Sequence, residues 1–464
     1  MDPDVRPLRC PHCEAANPAD AAFCLRCGNP LATGAPAGPA PVSVSPRRVV
    51  ITGLGAITSL APSARGTWQR LLAGESGIRR DPNLDPDKFA CVLHGYVDDA
   101  TIPSRFLAGK AARNTSRFAR MAVEAAGEAL ADAGLLDADL QPACDLDWGG
   151  ALLGTCVGGM YDDLLPAFTT LEESGPRRVP PHLMVMFPLN LAAYTIQNRF
   201  GLRGPSSTVA TACATGAQAI GDAFHTIKFG QAPLMVAGAV ESDRHPLFTA
   251  GFTAMRALAT DSNDRPEAGS RPFDASRAGF VPGEGVGMLV LEELGHARAR
   301  GATIYAEIAG FASSNDAYHP IAPQPEGRGA ARAIRAALVD GGIAPERINH
   351  VNAHAASTPA GDVAEANAIA AVFGERAREI PVTSVKGAIG HCMGAAGAIE
   401  TVAAAYTVAE GRIPPTLNFS TPDPEIRLDI VHGAPRAVEI DVMTKNSFGL
   451  GGQNACLVLA RYRE

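Results

Sequence analysis

Short apolar runs rich in β-branched residues alternate along the chain with longer alanine-rich segments of helical period. The stretch "RRVVITGLGAITSL", from Arg47 to Leu60, has the pattern of a buried strand that passes into a glycine turn. The stretch "RMAVEAAGEALADAGL", from Arg120 to Leu135, has apolar residues at helical spacing and closes at Gly134. Because this alternation continues through the chain, we expect an α/β fold in which helices cover buried central sheets.

One junction in this pattern carries a thiol. "SSTVATAC" is a small apolar run that ends at Cys213, and "ATGAQAIGDAFHTI" follows it with helical spacing. A thiol at a helix start feels the positive end of the helix dipole, which favours the thiolate, and free backbone N–H groups there can hold an oxyanion. The sequence therefore offers Cys213 as a nucleophile. The alternative is a small buried core cysteine, and the choice depends on partner residues.

Two later stretches offer such partners. In "VNAHAASTPAGDVAEANAI", His354 follows a strand-like run and precedes a turn of small residues. In "VTSVKGAIGHCMGAAGAIE", Lys386 and His391 lie in a glycine-dense turn before a helix that carries Glu400. The glycines allow close backbone approach, which is costly unless packing or a substrate requires it. Each histidine alone could still be structural.

Length and net charge restrict the possible class of protein less than the motifs do. The 464 residues allow about three domains of ordinary size or one large α/β enzyme. The net charge of −8 gives no overall attraction to nucleic acid or to an anionic membrane, so we expect neither as a partner. No run approaches about 20 apolar residues, and the start lacks the features of a secretory signal. We expect a cytoplasmic protein.

The N-terminal segment contains a candidate metal site formed by four cysteines. It contains two CxxC pairs separated by ten residues, formed by Cys10, Cys13, Cys24 and Cys27. Four thiolates in two such knuckles suit a structural Zn²⁺ ion, whereas disulfides or a redox dithiol are the alternative. We expect a zinc-ribbon-like module over residues 1–31 and a Pro/Ala-rich linker over residues 32–46, because the latter has no apolar period.

Four motifs resemble the active-site motifs of β-ketoacyl-acyl carrier protein synthases, the condensing enzymes of KAS II type. They are "TACATG", "NAHAASTPAGD", "KGAIGHCMGAAGAIE" and "NSFGLGGQN". The resemblance runs in order from about residue 47 to the end and leaves only the ribbon and linker outside it. It implies a thiolase fold of five αβαβα layers with two similar halves, assigned here to residues 47–300 and 301–464. It also implies a homodimer, while a heterodimer with a ketosynthase-like partner stays open.

The resemblance implies a mechanism for these residues. Cys213 would accept an acyl group from a carrier protein, and His354 and His391 would donate hydrogen bonds to the thioester oxygen of malonyl-carrier protein as CO₂ leaves. Lys386, together with Glu400, would orient and polarise the site. The backbone N–H groups of Cys213 and Leu450 would hold the oxyanion of the condensation step. Zinc would be structural, and the reaction itself would need no cofactor.

Departures from the family pattern point to a different acyl substrate. The hydroxyl expected before Ser357 is absent, which leaves Thr358 alone to bond the pantetheine arm. Leu450 replaces the gating phenylalanine, although Phe448 is kept. Met160 and Asp163 fall where the family borders its acyl tunnel, and a buried carboxylate there opposes a saturated chain. We therefore expect a shorter, polar or unsaturated acyl group, as in a specialised polyketide pathway rather than in bulk fatty-acid synthesis.

The expected partner is an acidic acyl carrier protein, and Lys110 and Arg113 match the family's basic docking stretch. An ordinary solvated helix face is the alternative for these two residues. Two rival functions remain from the sequence. One is an acyltransferase that passes the acyl group to an amine or alcohol. The other is a non-catalytic chain-length factor or scaffold, which the joint presence of the candidate catalytic residues opposes.

Overall fold

The computed structural model describes residues 8–10, 13–17 and 46–464, and the chain divides into two compact units, residues 1–45 and 46–464. The strands of the described residues are β1 Leu8–Arg9, β2 Ala16–Asn17, β3 Val49–Thr58, β4 Arg79–Arg80, β5 Leu93–His94, β6 Gly150–Gly154, β7 Ser206–Val209, β8 Leu234–Glu241, β9 Gly285–Glu293, β10 Ala306–Asn315, β11 Ile348–Asn352, β12 Pro381–Thr383, β13 Arg412–Ile413, β14 Asp429–Ile430, β15 Arg436–Ala437, β16 Val442–Gly449 and β17 Gln453–Ala460.

The α-helices of the same residues are α1 Ala64–Ala73, α2 Gly109–Arg113, α3 Arg117–Asp132, α4 Leu165–Ser174, α5 Leu191–Phe200, α6 Thr215–Lys228, α7 Pro246–Ala254, α8 Leu294–Ala299, α9 Arg328–Asp340, α10 Pro359–Phe373, α11 Lys386–Ile389 and α12 Met393–Glu410. Within the described ranges, none of them combines the length and apolar character that crossing a membrane requires.

The larger unit repeats one strand arrangement twice. Its eleven-stranded sheet has the order β14-β12-β11-β16-β17-β10-β3-β9-β8-β6-β7. In the first half β7, β6 and β8 are parallel, and β9 and β3 continue the sheet in antiparallel fashion. In the second half β12, β11 and β16 are parallel, and β17 and β10 continue in the same way. Three residue pairs between β3 and β10 join the two halves, so we describe each half as a separate half sheet.

The helices complete five layers. Helices α3 and α5 cover the outer face of the first half sheet, α6 and α12 lie between the two half sheets, and α9 and α10 cover the second. This is the αβαβα thiolase arrangement with two similar halves that the sequence motifs imply. The junction expected near residue 300 falls between α8 and β10.

Strand β3 differs from its sequence-based interpretation. Gly53 and Gly55 lie inside the strand and not in a turn after it. A Cβ atom at Gly55 would lie 1.9 Å from the carbonyl oxygen of Ala125 on α3, and one at Gly53 would lie 2.1 Å from that of Ala129. The glycines are therefore needed because α3 packs directly on the strand backbone.

Glycine also sets the contact between the two central helices. A Cβ atom at Gly216 of α6 would lie 2.5 Å from the backbone nitrogen of Ala398 on α12. A Cβ atom at Gly397 of α12 would lie 2.6 Å from the backbone nitrogen of Ala217 on α6. Because the backbones touch here, the N-terminal ends of α6 and α12, which follow Cys213 and His391, are fixed relative to each other.

Of the smaller unit, the structure describes a short hairpin. Strands β1 and β2 pair in antiparallel fashion. Between them, the N–H of Cys10 donates to the carbonyl of Ala15 at 3.0 Å, and the N–H of Glu14 donates to the carbonyl of Cys10 at 2.9 Å. Cys10 and Cys13 thus lie in one tight knuckle. Cys24, Cys27 and nearly all of the expected linker 32–46 lie outside the described residues.

Candidate functional site

The ends of several core elements meet at one cavity of about 370 Å³. Its wall includes six of the residues singled out from the sequence, namely Cys213, His354, Thr358, His391, Phe448 and Leu450. The inner wall is apolar, with Phe252, Phe280 and Met393, while Gln324 and Gly327 are among the residues on other parts of the wall. The cavity therefore joins a thiol and two imidazoles in a largely apolar space.

The turn before α6 presents Cys213 to this cavity. Ala212 has a φ of +49°, and the N–H of Ala214 closes the turn on the carbonyl of Thr211 at 3.1 Å. Gly449 lies directly against the turn, because a Cβ atom there would stand 2.8 Å from the backbone nitrogen of Cys213. The approach lets the N–H of Leu450 hydrogen-bond to the thiol sulfur. The backbone of Leu450 is thus the polar partner of the nucleophile.

Burial dominates the titration of Cys213. Loss of solvent raises the pKa of the thiol to about 11, although the Leu450 N–H and the nearby Lys386 ammonium act in the opposite direction. The side chain is only 8% exposed. The backbone N–H groups at this turn do favour the thiolate, as expected, but burial outweighs them. At neutral pH the group is therefore a thiol and must lose its proton as it attacks.

The two histidines meet from opposite walls of the cavity. The ring of His354 follows β11, that of His391 precedes α12, and their centroids are 5.3 Å apart at an angle of 82°. The N–H of His354 donates to Glu365 Oε1 at 2.9 Å, and the N–H of His391 donates to the carbonyl of Val281 at 2.8 Å. Both rings are thus held through their backbones.

Both imidazoles are neutral. Burial lowers the pKa of His354 and of His391 well below the ordinary value, and the positive charges of Lys386 and Lys445 lower it further. Among the described residues, neither Nδ1 atom has a hydrogen-bond partner. Neutral rings of this kind can donate an N–H to a carbonyl oxygen or accept a proton.

A buried chain of charges lies behind His354. The Lys386 ammonium bonds to the His354 carbonyl and to Glu400 Oε1, and both Lys386 and Glu400 are at or near full burial. Lys445 Nζ lies 2.6 Å from the other Glu400 oxygen. The pairing of Lys386 with Glu400 agrees with their expected joint role, whereas sequence reasoning missed Lys445. Its signal was a lysine inside the apolar run just before "NSFG".

Sequence reasoning also missed Glu241, a carboxylate at the end of β8. It accepts hydrogen bonds from the backbone N–H groups of Cys156 and Val157 at 3.0 Å and of Gly394 at 3.0 Å. Burial raises its pKa to about 7. Because these donors come from the loop after β6 and the start of α12, Glu241 fixes the loops on either side of the nucleophile.

Two residues expected along the acyl tunnel belong to the segment Met160–Leu164 that follows β6. Neither Met160 nor Asp163 is part of the cavity wall. The Asp163 carboxylate accepts a hydrogen bond from Ser116 Oγ before α3, and Met160 is 39% exposed. Burial raises the pKa of Asp163, but the Ser116 hydroxyl satisfies the carboxylate locally. The expected place of Asp163 along the acyl tunnel stays a prediction.

The expected docking residues lie on the surface. Lys110 and Arg113 belong to the short helix α2, and both side chains are exposed. Neither contributes to the cavity wall. The structure therefore places them where a macromolecule can reach them and leaves their role as a prediction.

Comparisons with known proteins agree with the site. The family described as beta-ketoacyl synthase, N-terminal domain, matches residues 46–297, its C-terminal domain matches residues 305–420, and a zinc-ribbon domain matches residues 9–31. The chain is 44% identical over 417 residues to 3-oxoacyl-[acyl-carrier-protein] synthase 2 of Synechocystis sp., which covers 90% of this chain and 99% of that protein.

Solved structures agree as well. A beta-ketoacyl synthase from Burkholderia phymatum superposes with a TM-score of 0.82 at 36% identity, covering 90% of this chain and 100% of that one. A type II polyketide ketosynthase, solved with its acyl-carrier protein and bound to the hexaketide, gives a TM-score of 0.81 at 33% identity with the same coverage. This chain therefore belongs to the β-ketoacyl synthase family, with a zinc-ribbon match at its N-terminus.

Proposed function

We propose that the chain is a β-ketoacyl-acyl carrier protein synthase that condenses an acyl group on Cys213 with malonyl-carrier protein and releases CO₂. One observation carries the proposal: the thiol, both neutral imidazoles and the backbone N–H of Leu450 belong to the same largely apolar cavity. A rigid, water-poor site of this kind suits chemistry that forms a carbanion.

In the first half-reaction the Cys213 sulfur attacks the acyl thioester of a carrier protein. The thiol proton leaves as the C–S bond forms, and the neutral rings of His354 and His391 are the nearby proton acceptors. The N–H groups of Leu450 and Cys213 hold the oxyanion, at about 3 kcal/mol for each good donor. The carrier thiol leaves protonated, and the acyl group remains on Cys213.

In the second half-reaction malonyl-carrier protein enters, with Thr358 beside its pantetheine arm. The C–C bond to the carboxylate breaks, CO₂ leaves, and its electron pair forms an enolate whose oxygen accepts hydrogen bonds from His354 and His391. The enolate carbon attacks the acyl carbonyl, the C–S bond to Cys213 breaks, and the sulfur takes up one proton that comes from solvent. The product is a β-ketoacyl thioester two carbons longer.

The wall next to Cys213 favours short acyl groups. Phe280 stands 5.5 Å from the His391 ring, Phe252 stands 5.2 Å from Phe280, and Phe248 stands 4.8 Å from Phe252, all between ring centroids. Phe248 is buried and packs edge-on against Tyr161 at 6.0 Å. A long saturated chain would have to displace this aromatic wall, so we assign the enzyme to short primers of a specialised polyketide type.

The partner we propose is an acidic acyl carrier protein, as in the complex of the polyketide ketosynthase. Lys110 and Arg113 are exposed and have no ion-pair partner among the described residues, so their charges are available to an acidic surface. Because Cys213 must be a free thiol, a reducing cytoplasm is the fitting compartment.

For the N-terminal module we propose a structural zinc ion held by Cys10, Cys13, Cys24 and Cys27. The knuckle around Cys10 and Cys13 fits this role, since its backbone turn brings one CxxC pair together. Zinc would stabilise the fold of the module, which is too short to bury much apolar area. It would take no part in the condensation.

We also propose a homodimer. Strand β7 ends the sheet with one unpaired edge, and helix α5, which contacts β7, exposes the apolar ring of Tyr194. Phe168 and Met184, on segments between β6 and α5, are exposed as well. A second copy that paired along β7 would cover both features.

Cys213→Ala should abolish both acyl transfer and condensation, because no other thiol can hold the acyl group at this position. Intact-protein and product mass spectrometry with acyl-carrier proteins and malonyl-carrier protein measures both. The exposed Cys144→Ala variant should behave as wild type. If the wild-type protein formed an acyl adduct but no extended product, this would instead indicate transfer of the acyl group to another acceptor. If the wild-type protein formed no adduct with any donor, this would indicate a non-catalytic partner.

Phe248→Ala should open the inner wall and raise the use of long saturated primers relative to short ones by about tenfold or more. The comparison is kcat/KM over a series of acyl-carrier proteins of increasing chain length. Leu247→Ala, on the same helix but 56% exposed, is the control and should keep the wild-type profile. Wild-type enzyme that extends long saturated chains as fast as short ones would contradict the assignment.

Lys110→Glu combined with Arg113→Glu should raise KM for the carrier protein about tenfold and leave kcat nearly unchanged, because the charges act on docking. With a small pantetheine thioester as donor, the variant should equal wild type. Lys88→Glu, a change at another exposed lysine, is the control. Unchanged KM for the carrier protein would remove α2 from the docking surface.

The purified full chain should hold one zinc ion per molecule by elemental analysis, and Cys24→Ser with Cys27→Ser should lose it while the condensation rate persists. Light scattering on the same samples should give the mass of a dimer for both proteins. A zinc-free wild-type protein would contradict the metal proposal, and a monomeric mass would contradict the dimer.

A further inference from the structure

Strand β16 carries an ammonium group inside the protein core. Lys445 is fully buried in a strand whose first six residues are all buried. Its backbone neighbours across the sheet are Leu457 on β17 and Asn352 on β11, and its side chain has no exposed surface. Burying a charge in this way is costly unless the charge is fully paired.

Lys445 has one ion pair and two hydrogen bonds. Its Nζ lies 2.6 Å from Glu400 Oε2 and 2.7 Å from the carbonyl oxygen of Asn446, and it donates to Ser447 Oγ as well. An ammonium has three N–H donors, and three oxygens surround this one. The side chain thus occupies a small oxygen cage at the back of the site.

The cage connects to the reacting groups through a single carboxylate. Glu400 binds Lys445 with one oxygen and Lys386 with the other, and Lys386 reaches on to the carbonyl of His354. If Lys445 were absent, Glu400 could rotate or draw Lys386 toward its second oxygen. The position of the His354 carbonyl, and with it the ring, depends on both lysines.

We propose that Lys445 is a positioning residue of the condensation reaction, acting through Glu400 and Lys386 to hold His354 and to keep both imidazoles in the uncharged form. The proposal rests on the proposed function, because it assigns the residue a part in that chemistry. Lys445 itself does not line the cavity and touches no substrate.

The charges around Lys445 come from every element packed on it. Glu400 on α12 and Glu365 on α10 are negative when ionised, Lys386 on α11 is positive, and Cys456 on β17 is a thiol whose pKa is raised by burial. Burial also raises the pKa of Glu365.

The buried charges near Lys445 also affect the pKa of each imidazole ring. After burial, the positive charges of Lys386 and Lys445 lower the pKa of both His354 and His391. Replacing Lys445 by a neutral side chain removes one of these charges, so the pKa of each ring must rise toward its ordinary value. A larger fraction of the rings is then imidazolium at mildly acid pH.

An imidazolium would harm the reaction in two ways. It would pair with the malonyl carboxylate and so stabilise the ground state that must lose CO₂. It would also protonate the enolate before the carbon–carbon bond forms. Keeping both rings neutral therefore protects the decarboxylation step, whereas acylation of Cys213 needs only one neutral ring, as the acceptor of the thiol proton.

The test compares Lys445→Met with wild type over a range of pH. We expect kcat for condensation to fall about tenfold at neutral pH, the acid limb of its pH profile to move up by about one pH unit, and single-turnover acylation of Cys213 to change less. Lys228→Met is the matched control, because that ammonium is also buried and lies 2.6 Å from the Asp340 carboxylate, outside the cavity wall. It should leave the pH profile unchanged.

A second readout does not need turnover. Diethyl pyrocarbonate modifies neutral imidazole, so peptide mass spectrometry over the same pH range follows the titration of His354 and His391 directly. In Lys445→Met this titration should move to higher pH. If wild-type protein performs no condensation, the proposed function fails, while the modification still decides whether Lys445 controls the rings.

Chemical rescue separates the charge from the packing. Lys445→Ala leaves the oxygens of Glu400, Asn446 and Ser447 around an empty space, and we expect ammonium ions in the buffer to restore condensation and the wild-type titration. This variant also replaces Lys445→Met should the latter not fold. Unchanged histidine titration in both variants, or an equal shift in Lys228→Met, would overturn the proposal.

Discussion

The close crossing of helices α6 and α12 is the contact on which the site depends. Gly216 and Gly397 let the two backbones touch, and each helix begins just after a reacting residue, Cys213 for α6 and His391 for α12. The two half sheets share only three residue pairs between β3 and β10. The distance between the nucleophile and its neighbouring imidazole is therefore set by helix packing in the central layer and not by the sheet.

Burial then gives the site its electrostatic character. The same loss of solvent that raises the pKa of Cys213 lowers the pKa of His354 and His391, because each shift favours the neutral form. In the resting cavity the side chains of Cys213, His354 and His391 are consequently all uncharged. Negative charge enters with the malonyl carboxylate, passes to the enolate as neutral CO₂ leaves, and ends when the Cys213 sulfur is protonated. The permanent charges of Lys386, Glu400 and Lys445 stay paired behind the wall.

Much of this could be predicted from the sequence, since local spacing determines it. The strand, turn and helix around Cys213, and the histidine stretches with their glycines, have patterns that follow from backbone geometry. Properties that depend on tertiary burial were predicted less well. The state of the Cys213 thiol follows from solvent exclusion by distant segments, which outweighs the local effect of a helix start.

Single residues whose neighbours come from elsewhere in the chain were also difficult. Lys445 is one polar residue in a strand pattern until α12 brings Glu400 beside it, and the sequence does not reveal that Ser116 donates to Asp163. Gly53 and Gly55 indicated a turn because nothing local reveals that α3 lies on the strand. In each case the deciding partner is distant in sequence.

The repeated strand order has a consequence for the origin of the site. In the first half, the chain passes from β7 through the Cys213 turn into α6; at the corresponding place in the second half, it passes from β12 through the His391 turn into α12. The nucleophile and the imidazole beside it thus occupy matching positions of two copies of one unit. If the halves descend from a duplicated ancestor, the same corner has diverged into two chemical roles, and their meeting across the internal pseudo-symmetry axis makes one asymmetric reaction centre from a symmetric frame.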